Sequence, residues 1–123
     1  MLYRVEFQDP GKPDENHYIA LVQFDPSVKR GFHTDDDFRR ASAWTLEKLL
    51  SADFPAFPKD ARIYACPTAK KLATLASAPT DIGAGITIWL EHAPESSRLR
   101  NPALLMLQLA KMREEVRRQP LSV

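Results

Sequence analysis

The chain has a single cysteine, Cys66, and its surroundings are the first place where chemistry could be expected. It stands at a predicted strand–helix junction in "RIYACPTAKKLATLA", and Lys70 and Lys71 follow in the first turn of the helix. A helix N-terminus and nearby cations favour a reactive thiolate. However, no second cysteine or phosphate-binding loop accompanies it, and no histidine has a recognisable spacing to it. A buried strand-end cysteine is therefore favoured, and a thiol-dependent enzyme centred on Cys66 remains an alternative.

The same stretch suggests a second kind of site. Free amides at the start of a helix, together with Lys70 and Lys71, could bind a phosphate or a carboxylate. The loop has no glycine that would let the backbone wrap closely around a phosphate, so a solvated lysine pair is favoured. The consecutive acids Asp35, Asp36 and Asp37 are explained by a helix N-terminus rather than by a metal. The sequence thus predicts no metal site and no cofactor.

Polar and aromatic residues alternate along three predicted strands. The rows are Arg4, Glu6 and Gln8, then Arg62, Tyr64 and Cys66, and then Thr87, Trp89 and Glu91. If the rows share one face of a sheet, Arg62, Tyr64 and Trp89 supply the residue types of binding hot spots. The same types could stack on single-stranded bases. A helix that covers this face and makes Tyr64 and Trp89 part of a core is an equally good interpretation.

The last predicted helix has apolar residues almost all round its first half, "ALLMLQLA". Leu105, Leu109, Met112 and Val116 continue as a seam at heptad-like spacing. A terminal helix that is apolar on more than one side needs more than one surface to pack against. One surface is the sheet, and the other is predicted to be a partner, most simply a second copy of the chain. A groove within the same domain would explain the pattern equally well.

Hydrophobic periodicity and breaker residues place seven elements along the chain. Strands are predicted over residues 2–8, 17–24, 61–67 and 85–92, and helices over 34–54, 68–78 and 102–119, with a loop over 79–85. The order ββαβαβα predicts an α+β fold with an α/β-like C-terminal half. In it, a small mixed four-stranded sheet packs with three helices.

Length and charge narrow the class of protein. A chain of 123 residues suits a single domain spanning 1–123. The net charge of +1 gives no general attraction to nucleic acid or to a membrane. No apolar run approaches the roughly 18 residues of a membrane span, and charges alternate through the N-terminus, unlike a signal peptide. A cytoplasmic protein is expected.

These observations predict that the protein is a small, non-enzymatic interaction or regulatory module. Its predicted partner is another protein, and a homodimer through the C-terminal helix is the simplest case. The absence of a recognisable catalytic set in the sequence favours this function over an enzyme. The first alternative is a nucleic-acid-binding protein that uses the Arg/Tyr/Trp sheet face and the basic C-terminal segment, and the second is the thiol enzyme.

Overall fold

A computed structural model describes residues 2–9, 11–12, 15–25, 35–54, 62–65 and 80–118. The elements are β1 (Leu2–Gln8), β2 (His17–Phe24), α1 (Asp35–Leu50), β3 (Arg62–Ala65), β4 (Thr80–Gly83), β5 (Ile86–His92) and α2 (Pro102–Arg118). A short 3₁₀ turn, Arg98–Arg100, precedes α2. The predicted α+β class is confirmed. Within the described residues there are two α-helices, and the third predicted helix, over residues 68–78, lies outside them.

The five strands form one sheet in the order β3-β1-β2-β5-β4. Every pairing in this sheet is antiparallel, so the predicted mixed sheet with a parallel pair is wrong. A strand–helix–strand sequence produces a parallel pair only when its two strands become neighbours. Here the β1–β2 hairpin lies between β3 and β5 and separates them. The sheet also has five strands, one more than the four that were predicted.

The additional strand is β4, in the segment that was predicted to be a loop. Its partner is β5, and the two strands are joined by a two-residue turn made by Ala84 and Gly85. Both turn residues have positive φ, 55° and 75°, as a type I′ hairpin turn requires. Alanine is unusual at such a position, so the sequence indicates a turn or loop here but not a hairpin. Burial of Ile82, which is fully enclosed, favours the hairpin over an open loop.

One face of the sheet packs against both helices and forms the core. The strands contribute alternate residues, as half-buried strands do, and the resulting cluster includes Tyr3, Val5, Phe7, Tyr18, Ala20, Val22, Phe24, Ile82, Ile86 and Ile88. Helix α1 also contributes two buried polar side chains to the core, Ser42 and Thr45. The hydroxyls of Ser42 and Thr45 donate to the carbonyls of Phe38 and Ala41, each at 2.8 Å. These bonds satisfy hydroxyls that burial would otherwise leave unpaired.

Helix α2 begins where the sequence predicts it. The Asn101 side chain accepts a hydrogen bond from the Ala103 amide at 3.0 Å, and Pro102 occupies the first helical position. The helix is held to β4 by the Arg113 guanidinium, which donates to the Asp81 carbonyl at 3.0 and 3.1 Å. Neither described helix is long and apolar enough to cross a bilayer.

Candidate functional site

The second face of the sheet, opposite the helices, brings together the polar rows seen in the sequence. Register places Glu6 beside Arg62 and Leu21 beside Trp89. Residues paired directly in an antiparallel sheet point to the same side. Arg62 is exposed, whereas the Tyr64 side chain lies outside the described part of the molecule.

Trp89 does not provide an open aromatic surface. Only 6% of it is exposed, and Ile19 and Leu21 on the same face are also buried. The interpretation of Trp89 as a solvent-facing binding residue is therefore wrong, because its side chain is buried. Because Ile19, Leu21 and Trp89 are all buried, this part of the second face is covered and does not form an open surface.

A charged cluster occupies the part of this face near the C-terminal end of β5. We use this name for Arg4, Glu6, His17, Glu91 and His92. Glu6 accepts from the Arg4 guanidinium at 2.5 Å and from the His17 ring at 2.8 Å. The His17 and His92 rings are 5.0 Å apart between centroids, and Arg4 Nε lies 4.0 Å from Glu91 Oε2.

Opposing effects act on the ionisation of Glu6. Burial raises its pKa, but the hydrogen bonds from His17 and Arg4 outweigh burial and hold the pKa below its ordinary value. The carboxylate is therefore ionised at neutral pH, and the His17 Nε2–H is the donor toward it. A histidine oriented by a carboxylate is the arrangement of a general base, but here the two Glu6 oxygens are shared between His17 and Arg4. Within the described ranges, no group of three or more His, Cys, Asp or Glu could hold a metal ion.

Replacing Glu6 by glutamine is expected to reduce the free energy of unfolding by about 1 kcal/mol at neutral pH. Because folding lowers the pKa of Glu6, the carboxylate stabilises the fold above its ordinary value of 4.5. That stabilisation is lost as the pH falls through the lower pKa that Glu6 has in the folded protein. The free energies of unfolding of Glu6→Gln and the parent chain, measured with urea, should therefore become equal at acidic pH.

Glu15 offers a matched control for that comparison. Its carboxylate is exposed and lies 3.7 Å from Lys12 Nζ. Exposed pairs of this kind contribute little to stability, so Glu15→Gln should unfold like the parent chain at every pH. If Glu6→Gln remained less stable than the parent chain by the same amount at acidic pH, the assigned role of the carboxylate would be contradicted.

An apolar groove of about 540 Å³ lies between the end of β5, the 3₁₀ turn and the first half of α2. Its apolar wall includes Leu49, Leu90, Leu99, Leu105, Met106 and Leu109. Glu91, His92 and Arg100 add polar groups to the lining. The groove therefore borders the charged cluster at the end of β5. Its volume falls in the usual range of small-molecule sites, about 300–1,000 Å³.

The seam predicted on α2 as an interface faces the inside of the protein. Leu109, Met112 and Val116 are buried, and Leu105 is half-buried in the groove wall. These side chains therefore contact the protein's own core, because α2 turns this side toward the sheet and α1. The alternative of a groove in the same domain describes them correctly.

The apolar surface that α2 leaves exposed belongs to different residues. We call Leu104, Met106 and Leu107 the outer patch, with exposed fractions of 39%, 56% and 54%. The sequence indicated a surplus of apolar residues in this half of the helix. It could not tell which of them face the sheet, because the helix is apolar nearly all round here.

The remaining predicted site residues, Cys66, Lys70 and Lys71, lie outside the described residues. The reactive thiol and the anion site therefore stay predictions. Conversely, the sequence did not single out His17 or His92, and it indicated Arg100 only as part of the basic C-terminal segment. Strand register and the fold around α2 bring these three residues into the charged cluster and the groove. Their spacing in the sequence does not predict that they lie close together.

No known protein family, curated protein or solved structure matches this chain. Two features of the described surface have the properties of binding sites, namely the outer patch on α2 and the groove beside it.

Proposed function

We propose that this protein is a binding module that associates with a second copy of itself through the outer patch. One observation supports the proposal. Within the described part of the chain, the exposed large apolar side chains are Leu104, Met106 and Leu107, which all lie within one turn of one helix. Scattered apolar residues are normal on a surface, but adjoining ones mark interaction sites.

The pattern of the exposed residues suits a second copy of the same helix. Ala103, Met106, Leu107 and Ala110 are all exposed and follow the i, i+3, i+4, i+7 spacing of a packing stripe. Alanine at both ends permits close approach of two helices. A two-fold axis through the centre of the stripe would place Met106 and Leu107 of one copy against the same residues of the other.

Charged residues limit the length of this stripe. After Ala110, the exposed positions of α2 are Lys111, Arg113, Arg117 and Arg118. The apolar contact therefore covers about two turns, which is short for a dimer interface. A small contact of this kind predicts a weak dimer in the micromolar range.

Leu107→Glu is the variant that tests the proposal. Two like charges would meet at the centre of the interface, and the dimer should dissociate. Sedimentation velocity over a dilution series is expected to show a monomer–dimer equilibrium for the parent chain and a monomer for Leu107→Glu. Circular dichroism should be the same for both, since Leu107 lies outside the core.

Lys111→Glu is the matched control, because it introduces the same residue on an exposed position of the same helix outside the outer patch. It should associate like the parent chain. A parent chain that remains monomeric at the highest concentration would overturn the proposal. Equal association of Leu107→Glu and the parent chain would overturn it too.

The nucleic-acid alternative has less support than the dimer. It depended on an aromatic sheet face, and Trp89 in that face is buried. Arg62 remains exposed, but a single arginine also suits a solvated edge strand. We therefore retain the protein-binding function as the proposal.

A further inference from the structure

We propose that the groove beside α2 binds a small amphipathic carboxylate, with its anionic head at Arg100 and its aliphatic body against the leucine wall. This inference goes beyond the proposed dimer and does not depend on it. The size and the lining of the groove favour such a ligand. The groove of about 540 Å³ is walled mainly by leucines and methionine, and such a surface favours an aliphatic ligand.

Arg100 lines the groove and is held in place by one hydrogen bond. Its Nη1 donates to the Ala93 carbonyl at 3.2 Å, which holds the guanidinium at the groove. Among the described residues, no carboxylate forms an ion pair with it. A guanidinium with unused donors matches a carboxylate, which can accept two parallel hydrogen bonds from it. Arg100 thus supplies the positive charge for an anionic head.

The polar residues of the groove lie close together. Arg100 is hydrogen-bonded to Ala93, the residue that follows His92, so the two polar side chains belong to one end of the groove. His92 is exposed there. Glu91 also lines the groove, but its Oε2 lies 4.0 Å from Arg4 Nε, and its charge is opposed by that guanidinium. A polar end and an apolar wall together select a ligand with one charged head.

The groove and the outer patch share one residue and otherwise have different linings. Leu104 and Leu107 do not contribute to the lining of the groove, and Met106 belongs to both surfaces. The volume of about 540 Å³ suits a small molecule. A ligand could therefore occupy the groove in the monomer.

The experiment is a calorimetric titration of the full chain with decanoate, with decanol as the neutral control and acetate as the headgroup alone. We expect saturable binding of decanoate and none of acetate. Arg100→Gln should weaken decanoate binding about tenfold, the usual cost of a charge-assisted hydrogen bond, and should leave decanol binding unchanged. Arg98→Gln is the matched control, since Arg98 is exposed on the same turn and does not line the groove.

Further variants separate this inference from the dimer. The Leu107→Glu chain should bind decanoate like the parent chain, whatever its association state. Leu105→Gln changes the wall and should weaken both decanoate and decanol. Absence of saturable binding would overturn the inference, as would equal decanoate affinity of Arg100→Gln and the parent chain.

Discussion

Leu109→Glu is expected to abolish the folded state at room temperature. Leu109 is 5% exposed and faces the core that α2 shares with the sheet and α1. The substitution removes about 2 kcal/mol of hydrophobic burial and places an unpaired carboxylate in an apolar site at a further cost of several kcal/mol. The sum is comparable with the whole stability of a small protein, about 5–15 kcal/mol. Loss of the circular dichroism and of dispersed amide resonances would show it.

Two other variants make this prediction quantitative. Leu109→Ala should remain folded and lose about 2–5 kcal/mol in urea unfolding, the range for a large-to-small change in a core. Leu107→Glu introduces the same charge two residues earlier, on the exposed side, and should change stability by no more than about 0.5 kcal/mol. Similar stabilities for Leu109→Glu and Leu107→Glu would contradict the orientation of α2.

Asp53→Ala is expected to destabilise the protein by about 3 kcal/mol, the second largest effect. Asp53 follows α1, and its carboxylate accepts from the Tyr18 hydroxyl at 3.0 Å, the Ser97 hydroxyl at 2.5 Å and the Arg98 amide at 3.1 Å. It therefore connects β2 and the 3₁₀ turn to the end of α1. Alanine would leave the buried hydroxyls of Tyr18 and Ser97 without this acceptor, and each loss costs about 1–3 kcal/mol.

The ionisation of Tyr18 provides a second measurement on this variant. Burial, together with the neighbouring Asp53, raises the pKa of Tyr18 to about 12. Ultraviolet titration should show that Asp53→Ala lowers this pKa, because the negative charge is removed. Because folding raises the pKa of Tyr18, its contribution to stability is fully present below the ordinary tyrosine pKa of 10. The contribution is lost as the pH rises through the pKa of Tyr18 in the folded protein.

Asp36→Ala is the control for Asp53. Its carboxylate is exposed and pairs with Arg40 on the same helix at 3.0 Å. An exposed i,i+4 pair contributes about 0.3–0.5 kcal/mol, so urea unfolding should change little. An Asp53→Ala effect no larger than that of Asp36→Ala would mean that the three hydrogen bonds do not hold α1 to β2 and the 3₁₀ turn.

Local patterns were sufficient to identify most of the elements. The alternation in "LYRVEFQ" predicted β1 over its observed residues, and Asn101 with Pro102 predicted the start of α2. These signals depend on side-chain periodicity and capping, which involve residues only a few positions apart. The β4–β5 hairpin was missed because its turn has Ala84 where asparagine, aspartate or glycine is usual.

The candidate site required the tertiary structure. Glu6, His17 and His92 meet because β1, β2 and β5 are neighbours in the sheet, and strand order depends on hydrogen bonds between distant segments. In the same way, packing alone decided which apolar residues of α2 enter the core and which form the outer patch.

By itself, then, the sequence determined the α+β class, the positions of the principal strands and helices, and the apolar surplus on the last helix. The antiparallel order of the strands, the burial of Trp89, and the position of Arg100 beside a groove were decided by the tertiary structure. The physical reason is that periodicity records only whether a side chain prefers water or a core. Which other element provides that core is determined when distant parts of the chain pack together.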